Sequence, residues 1–255
     1  MSGHSHWATT KHAKAAADAK KGKIFSRIAK EIMLAAKVNG DPNTNPALRT
    51  LVEKGRKANM PKDNIENAIK KGTGELAGAA AFEEITYEGY AAGGVGLIVN
   101  VLTDNKNRAA AEVSNVFKKN GLELAKPGSA SRLFDRMGQI MIPAADGVTE
   151  DKVMEVALEA GAEDVLSEDG GFTVKCQPND FTTVLEAIKA GGINVDEEDS
   201  SVGLVPNMTN PVSDVATAKA INKFVEMLED LEDVQDVYTN METTDEVDAA
   251  LEAEG

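Results

Sequence analysis

Residues 139–204 read QIMIPAADGVTEDKVMEVALEAGAEDVLSEDGGFTVKCQPNDFTTVLEAIKAGGINVDEEDSSVGL, and this stretch decides the fold. It divides into six elements: a strand at 139–142, a helix at 150–160, strands at 164–167 and 172–176, a helix at 181–190 and a strand at 194–204. Thr149 and Asp180 stand where helix N-caps belong, and Gly161 and Gly191 where helices end. Gly170-Gly171 supplies the turn between the two middle strands. The order β-α-β-β-α-β is that of a ferredoxin-like unit.

Working outward, 84–90 and 95–103 read as strands around the turn Ala91-Ala92-Gly93-Gly94. A helix at 109–120 turns Val113, Val116 and Phe117 inward, and 129–134 reads as a strand. Beyond the six-element run lie a helix at 214–231 and a strand at 234–239, too little to fold alone. They would complete the strands around Val95 into a second α+β unit, which makes that unit discontinuous. Residues 241–255 form an acidic tail, expected to be frayed or a loose helix.

The N-terminal part is helical. On a wheel of about 100° per residue, Ile24, Phe25, Ile28, Ile32, Ala35 and Ala36 gather on one stripe, and Lys23, Arg27, Lys30 and Lys37 form a basic ridge opposite. Asn39-Gly40-Asp41-Pro42 stops this helix. A second helix at 46–58 turns Leu48, Leu51 and Val52 inward, with Arg49, Arg56 and Lys57 outward. A third starts at Pro61, carries Ile65, Ala68 and Ile69 inward, places Lys70 and Lys71 at its negative end and stops at Gly72. An Ala/Gly-rich linker spans 77–81. The expected fold class is therefore α+β in three domains: a helical bundle followed by two ferredoxin-like α+β domains, the third inserted into the second. The domains are 1–76, then 77–135 with 205–240, then 136–204 as the insert, with 241–255 as the tail.

Charge divides the chain in the same place. Residues 1–71 hold 15 Lys and Arg against 6 Asp and Glu, whereas 72–255 hold 12 against 36. The whole carries −15. A basic head on an acidic body points to a polyanion as partner, because each Lys or Arg on a phosphate releases a counterion. The candidate nucleic-acid contacts are His4, Ser5, Trp7, Lys11, His12, Lys14, Lys20, Lys21, Lys23, Arg27 and Lys30. Trp7 and the histidines beside it can stack on exposed bases. Asn105, Lys106, Asn107 and Arg108, at the start of the 109–120 helix, make a second polar contact site, since helix N-termini attract anions.

Other chemistries find less support. His4, His6 and His12 have no cysteine or carboxylate nearby to complete a zinc site, so no metal is expected. The glycine-rich stretch 89–96 leads into a strand rather than a helix, which makes it a hairpin turn and not a phosphate cradle. The carboxylates at 196–199 and 226–236 lack calcium-loop spacing and read as a solvated face. No histidine outside the head can pair with Ser, Cys or Asp, so the chain is read as no enzyme, with no cofactor. The single cysteine, Cys176, forms no intramolecular disulfide and fits a reducing compartment. There is no secretory h-region, and the longest apolar run, 93–102, is too short to span a bilayer, so a cytoplasmic protein without membrane contact is expected.

Several segments together resemble the YebC family, which includes the mitochondrial translational activator of cytochrome c oxidase. They are Gly3-His4-Ser5 with Trp7, Lys11-His12, the run 18–25, Asn59-Met60-Pro61-Lys62-Asp63-Asn64-Ile65, the run 68–75, Tyr87-Glu88-Gly89-Tyr90, Thr103-Asp104-Asn105, Asn107-Arg108, the run 158–165 and Asp233-Val234-Gln235. The resemblance implies three domains with the third inserted in the second, and no cofactor. It also implies one of two functions. Some members are described as DNA-binding transcriptional regulators, others as ribosome-associated translation factors that relieve stalling, notably at consecutive prolines. His6 and Ala13 stand where lysine and arginine are common in the family, so this head has two fewer permanent charges.

The residues favour RNA. A duplex-DNA reader normally presents a helix bearing base-reading side chains, often within a dimer. The helix at 23–38 presents mostly lysine, a phosphate binder, and no dimer seam is evident. A monomeric translation factor on ribosomal or transfer RNA, and so on the ribosome, is the first expectation. A transcriptional regulator on duplex DNA is the alternative, and a protein–protein adaptor tethered by the head is the third.

Overall fold

The computed structural model describes residues 21–76, 82–145, 147–168 and 170–253. The predicted linker at 77–81 lies outside them. Three helices come first: α1 (Lys21–Ala36), α2 (Pro46–Lys57) and α3 (Lys62–Gly72). Ile28, Ile32 and Ala36 recur every four residues and so share one stripe of α1, which packs on Leu48 and Val52 of α2 and Ile65 and Ala68 of α3. Asn45 caps α2 by accepting from Leu48 N at 3.1 Å, and Pro46 supplies the pre-set first turn. Helix α3 ends at Gly72, as read from the sequence, with Thr73 as its cap. A Cβ at Gly72 would lie 2.4 Å from Met33 O and 2.7 Å from Ala36 Cβ, so glycine here lets α3 approach α1 closely.

The next elements are β1 (Glu83–Tyr90), β2 (Gly96–Thr103) and α4 (Lys106–Lys119). After α4 a long loop ends in a single 3-10 turn over Ser131–Leu133. The strand expected at 129–134 is absent because the chain is still turning there. Strand β3 (Phe134–Pro143) begins where that strand was expected to end. It leads through α5 (Glu150–Glu159), β4 (Ala162–Glu168), β5 (Gly171–Cys176) and α6 (Phe181–Ala190) into β6 (Asp196–Pro206). The four strands form one antiparallel sheet in the order β4-β5-β3-β6, the ferredoxin-like arrangement. Ile140, Ile142, Val174 and Cys176 point to one face and are fully buried against Val153, Ala157, Val184 and Ile188 of the two helices. Burying such side chains contributes roughly 1.5–3 kcal/mol each.

The chain then returns through β7 (Asn210–Val212), α7 (Val215–Glu229), β8 (Val234–Thr239), β9 (Met241–Thr243) and α8 (Asp245–Ala253). Strand β8 adds to β2 across more than a hundred intervening residues, giving an antiparallel sheet β1-β2-β8. This sheet has three strands where the ferredoxin-like order has four. Leu97, Val99, Val101 and Val234 pack against α4 and α7, where Phe117 and Phe224 meet edge to face at 5.0 Å. The tail is neither frayed nor loose over its described part. Strand β9 pairs in parallel with β7, and Val247 of α8 is buried. Asn240 fastens this region, accepting from Gly96 N at 2.7 Å and donating to Met208 O at 2.8 Å.

Candidate nucleic-acid interface

His4, Ser5, Trp7, Lys11, His12, Lys14 and Lys20 lie outside the described residues. Lys21 and Lys23 open α1. Arg27 and Lys30 lie on one side of α1, as their spacing requires, but that side is not free. Arg27 Nη2 donates to Glu229 O at 2.7 Å. Lys30 Nζ donates to Asp233 Oδ1 at 2.7 Å and to Glu232 O at 3.0 Å, and the residue is only 5% exposed. This corrects the exposed basic ridge read from the sequence. Part of it is a second buried face of α1, turned to the loop between α7 and β8.

Asp233 is the centre of that joint. Besides Lys30, its carboxylate accepts from Thr103 Oγ1 at 2.8 Å and from Arg108 Nη2 at 2.7 Å. Burial acts to raise its pKa, but the hydrogen bonds from Lys30, Arg108 and Thr103 together prevail and hold it below the ordinary carboxylate value. The joint binds three pieces of chain far apart in sequence: α1, the β2–α4 corner and the start of β8.

The second predicted contact site is taken up largely by the same joint. Asn105 caps α4 by accepting from Arg108 N at 3.1 Å. Lys106 pairs with Glu83 at 2.5 Å, and Arg108 pairs with both Asp104 and Asp233. Asn107 is exposed. The polar cluster at 105–108 therefore serves α4 and the joint, and Asn107 is the member without a partner among the described residues.

Among the described residues, the exposed cations of the helical part without a partner there are Arg56 near the end of α2 and Lys70 and Lys71 near the end of α3. The sequence reading places Arg56 outward and treats Lys70 and Lys71 as helix-dipole partners, without assigning any of them to contact. Their neighbours are engaged. Arg49 braces Pro42 O and Asn43 O, Lys54 pairs with Glu31, and Lys62 pairs with Glu66. Lys57 reaches Glu197, which Lys189 also holds. Hydrogen bonds from Lys189 and Lys57 lower the Glu197 carboxyl to about 2. So one member of the acidic run at 196–199 is not merely solvated but links the helical part to the four-stranded sheet.

Among the described residues there is no cluster of three or more His, Cys, Asp or Glu able to hold a metal ion, and no helix long and apolar enough to cross a membrane. An open cavity of about 430 Å³ lies at one end of the four-stranded sheet, lined by Asp135, Arg136, Glu163, Lys175 and Gln177 among others. Cys176 is fully buried, and burial pushes its thiol up to about 11, which makes it a packing residue rather than a nucleophile.

Comparison with known proteins places this geometry in a family. Residues 5–75 match the model of the TACO1/YebC protein N-terminal domain, and residues 82–241 match the TACO1/YebC second and third domain. A probable transcriptional regulatory protein of Treponema denticola is 54% identical over 95% of this chain and 96% of its own length. A protein of the same description from Bifidobacterium longum is 48% identical over the full length of both. Among solved structures, a conserved hypothetical protein from Aquifex aeolicus matches with a TM-score of 0.81 and 42% identity, covering 94% of this chain and 98% of that one.

Proposed function

The chain belongs to the TACO1/YebC family, and from that footing we propose that it is a cytoplasmic, monomeric regulator of gene expression that works on the ribosome as an RNA-binding translation factor. The observation that carries this reading is the charge division, +9 over residues 1–71 against −24 over the remainder, together with solvent-facing Arg56, Lys70 and Lys71 on the basic side. A basic part holds phosphates. An acidic body is repelled by them, so binding is oriented as well as tight. The protein performs no chemistry of its own. It holds RNA in a geometry from which the ribosome's own reaction proceeds, which is the form that relief of stalling, for example at consecutive prolines, would take.

A second reading is a transcriptional regulator on duplex DNA, and the descriptions of the Treponema and Bifidobacterium relatives favour it. Against it, two of the three exposed cations without a described partner on the helical part, Lys70 and Lys71, are lysines, which hold phosphate as point charges.

Co-sedimentation with ribosomes in a sucrose gradient, in the presence of excess duplex DNA, separates the two. A variant carrying Lys14→Glu, Lys20→Glu, Arg56→Glu and Lys70→Glu runs beside the wild type. Wild type that stays with ribosomes while the variant does not supports the translation reading. Wild type stripped off by DNA at moderate salt refutes it.

A further inference from the structure

The acidic part of the chain contains one basic island. Of the 12 Lys and Arg residues after position 71, five fall within 118–136: Lys118, Lys119, Lys126, Arg132 and Arg136. That segment holds only two acids, Glu123 and Asp135. All five cations are exposed, and none pairs with a carboxylate among the described residues. Of the seven cations elsewhere in the same part, which are scattered rather than clustered, Lys106, Arg108 and Lys189 are ion-paired. Five free cations in a body that otherwise repels polyanions are not explained by solubility, which its net charge already secures.

The island is also held in shape from beneath. Glu88 on β1 is 7% exposed and accepts three backbone N–H groups of the loop, from Gly128 at 2.8 Å, Ala130 at 2.7 Å and Ser131 at 3.0 Å. Converging backbone N–H groups of this kind form a nest for an anion, and here the protein's own carboxylate fills it. Tyr90 Oη donates to Ser129 O at 2.8 Å, and Ala130 is fully buried beside Ile98 and Phe134. The inner side of the loop is thus fastened at 128, 129, 130 and 131. Its outer side shows Lys126, Pro127, Gly128, Ser131 and Arg132 to solvent. A loop fixed on its inner side, with small residues between two cations outside, lets a backbone approach closely and lose little entropy on binding.

We propose that residues 118–136 form a second RNA-contact surface, in which Lys126 and Arg132 on the Glu88-fastened loop hold phosphates of the sugar–phosphate backbone. This rests on the RNA-binding reading above and adds a site distant in sequence from the basic head. Two separated phosphate-binding surfaces on one chain constrain orientation more than one surface alone does. Glu88 acts as a positioning residue, since it touches only the loop.

The test measures binding of the full chain to protein-free ribosomal RNA across a salt series. The variants are Lys126→Ala with Arg132→Ala, Glu88→Gln, and the head charge reversal described above. Removing two phosphate contacts is expected to lower the slope of log K against log salt by about 1.4–1.8, with thermal stability unchanged because both side chains are at the surface. Glu88→Gln is expected to speed amide exchange at Gly128, Ala130 and Ser131 and to weaken binding while the cations remain. An unchanged slope and affinity in the double-alanine variant overturns the inference, as does an island that answers only to an acidic protein and not to RNA. Faster exchange in Glu88→Gln with unaltered binding overturns the positioning role. If the head variant loses binding while the double-alanine variant keeps it, RNA binding stands and only the second surface fails. If the wild type does not bind ribosomal RNA at all, the RNA reading itself fails.

Discussion

Replacing Lys30 by methionine removes the cation from the most deeply buried ion pair described and keeps an apolar stem of similar length. The side chains of Lys30 and Asp233 are 7% and 3% exposed. Removing one partner of a buried pair costs about 3–5 kcal/mol, because the remaining charge stays desolvated. Here Asp233 keeps Thr103 and Arg108, the latter 43% exposed and therefore screened, which places the expected loss at about 3 kcal/mol, the lower end. Asp233→Asn should cost at least as much, since it strands Lys30 beside a neutral amide and weakens the hold on Arg108. Urea unfolding followed by circular dichroism, with linear extrapolation, measures both. The double variant completes a cycle, in which the two losses should fall well short of adding. A Lys30→Met protein within about 0.5 kcal/mol of wild type, the range of an ordinary surface substitution, would refute the view of Asp233 as the fastening point of α1.

The same joint sets an acid response. The folded-state pKa of Asp233 is depressed, so its contribution is complete above the unfolded value near 4 and is lost as pH falls through the lower folded value. Glu197, lowered to about 2, behaves with the same sign, so acid titrations of Asp233→Asn and Glu197→Gln should each lack part of the wild type's stability loss below about pH 4. Cys176 should resist a thiol reagent at pH 8 in the folded protein and react fully in urea; rapid labelling of the native state would contradict its burial. A Cβ at Gly89 would lie 2.3 Å from Phe117 Cε1, so Gly89→Ala should destabilise by about 1–3 kcal/mol in the same urea assay, and a neutral result would show that the α4 core can yield. Asn105→Ala removes the α4 cap and should cost about 1 kcal/mol.

Much of the fold is legible in the sequence because helix and strand periods are local. The ferredoxin-like order at 134–206 follows from runs of apolar residues, Thr149 as a cap and Gly170-Gly171 as a turn. Strand β8 is legible by a different argument: a helix and strand left over at the C-terminus need a sheet to join, and β2 accepts them. The final helix of the tail is legible, but that it packs rather than hangs loose is not, because this depends on β7, a three-residue strand with no signal of its own. The candidate site divides in the same way. The charge split is visible in composition, but the assignment of Arg27 and Lys30 to solvent fails, since a wheel separates an apolar stripe from a polar one without showing what the polar one meets.

The sequence by itself determined where the charge lies, how the elements alternate, and to which family the chain belongs, since these depend on residue identities and short spacings. Tertiary structure decided which cations are free. Lys30 and Asp233 are separated by 203 positions, and nothing in the neighbourhood of either announces the other. Glu88 likewise reads as one more acid on a strand until the loop at 128–131 folds over it and turns three N–H groups inward. A buried charge is stable only with its partners in place, and only the folded chain brings residues so distant into contact.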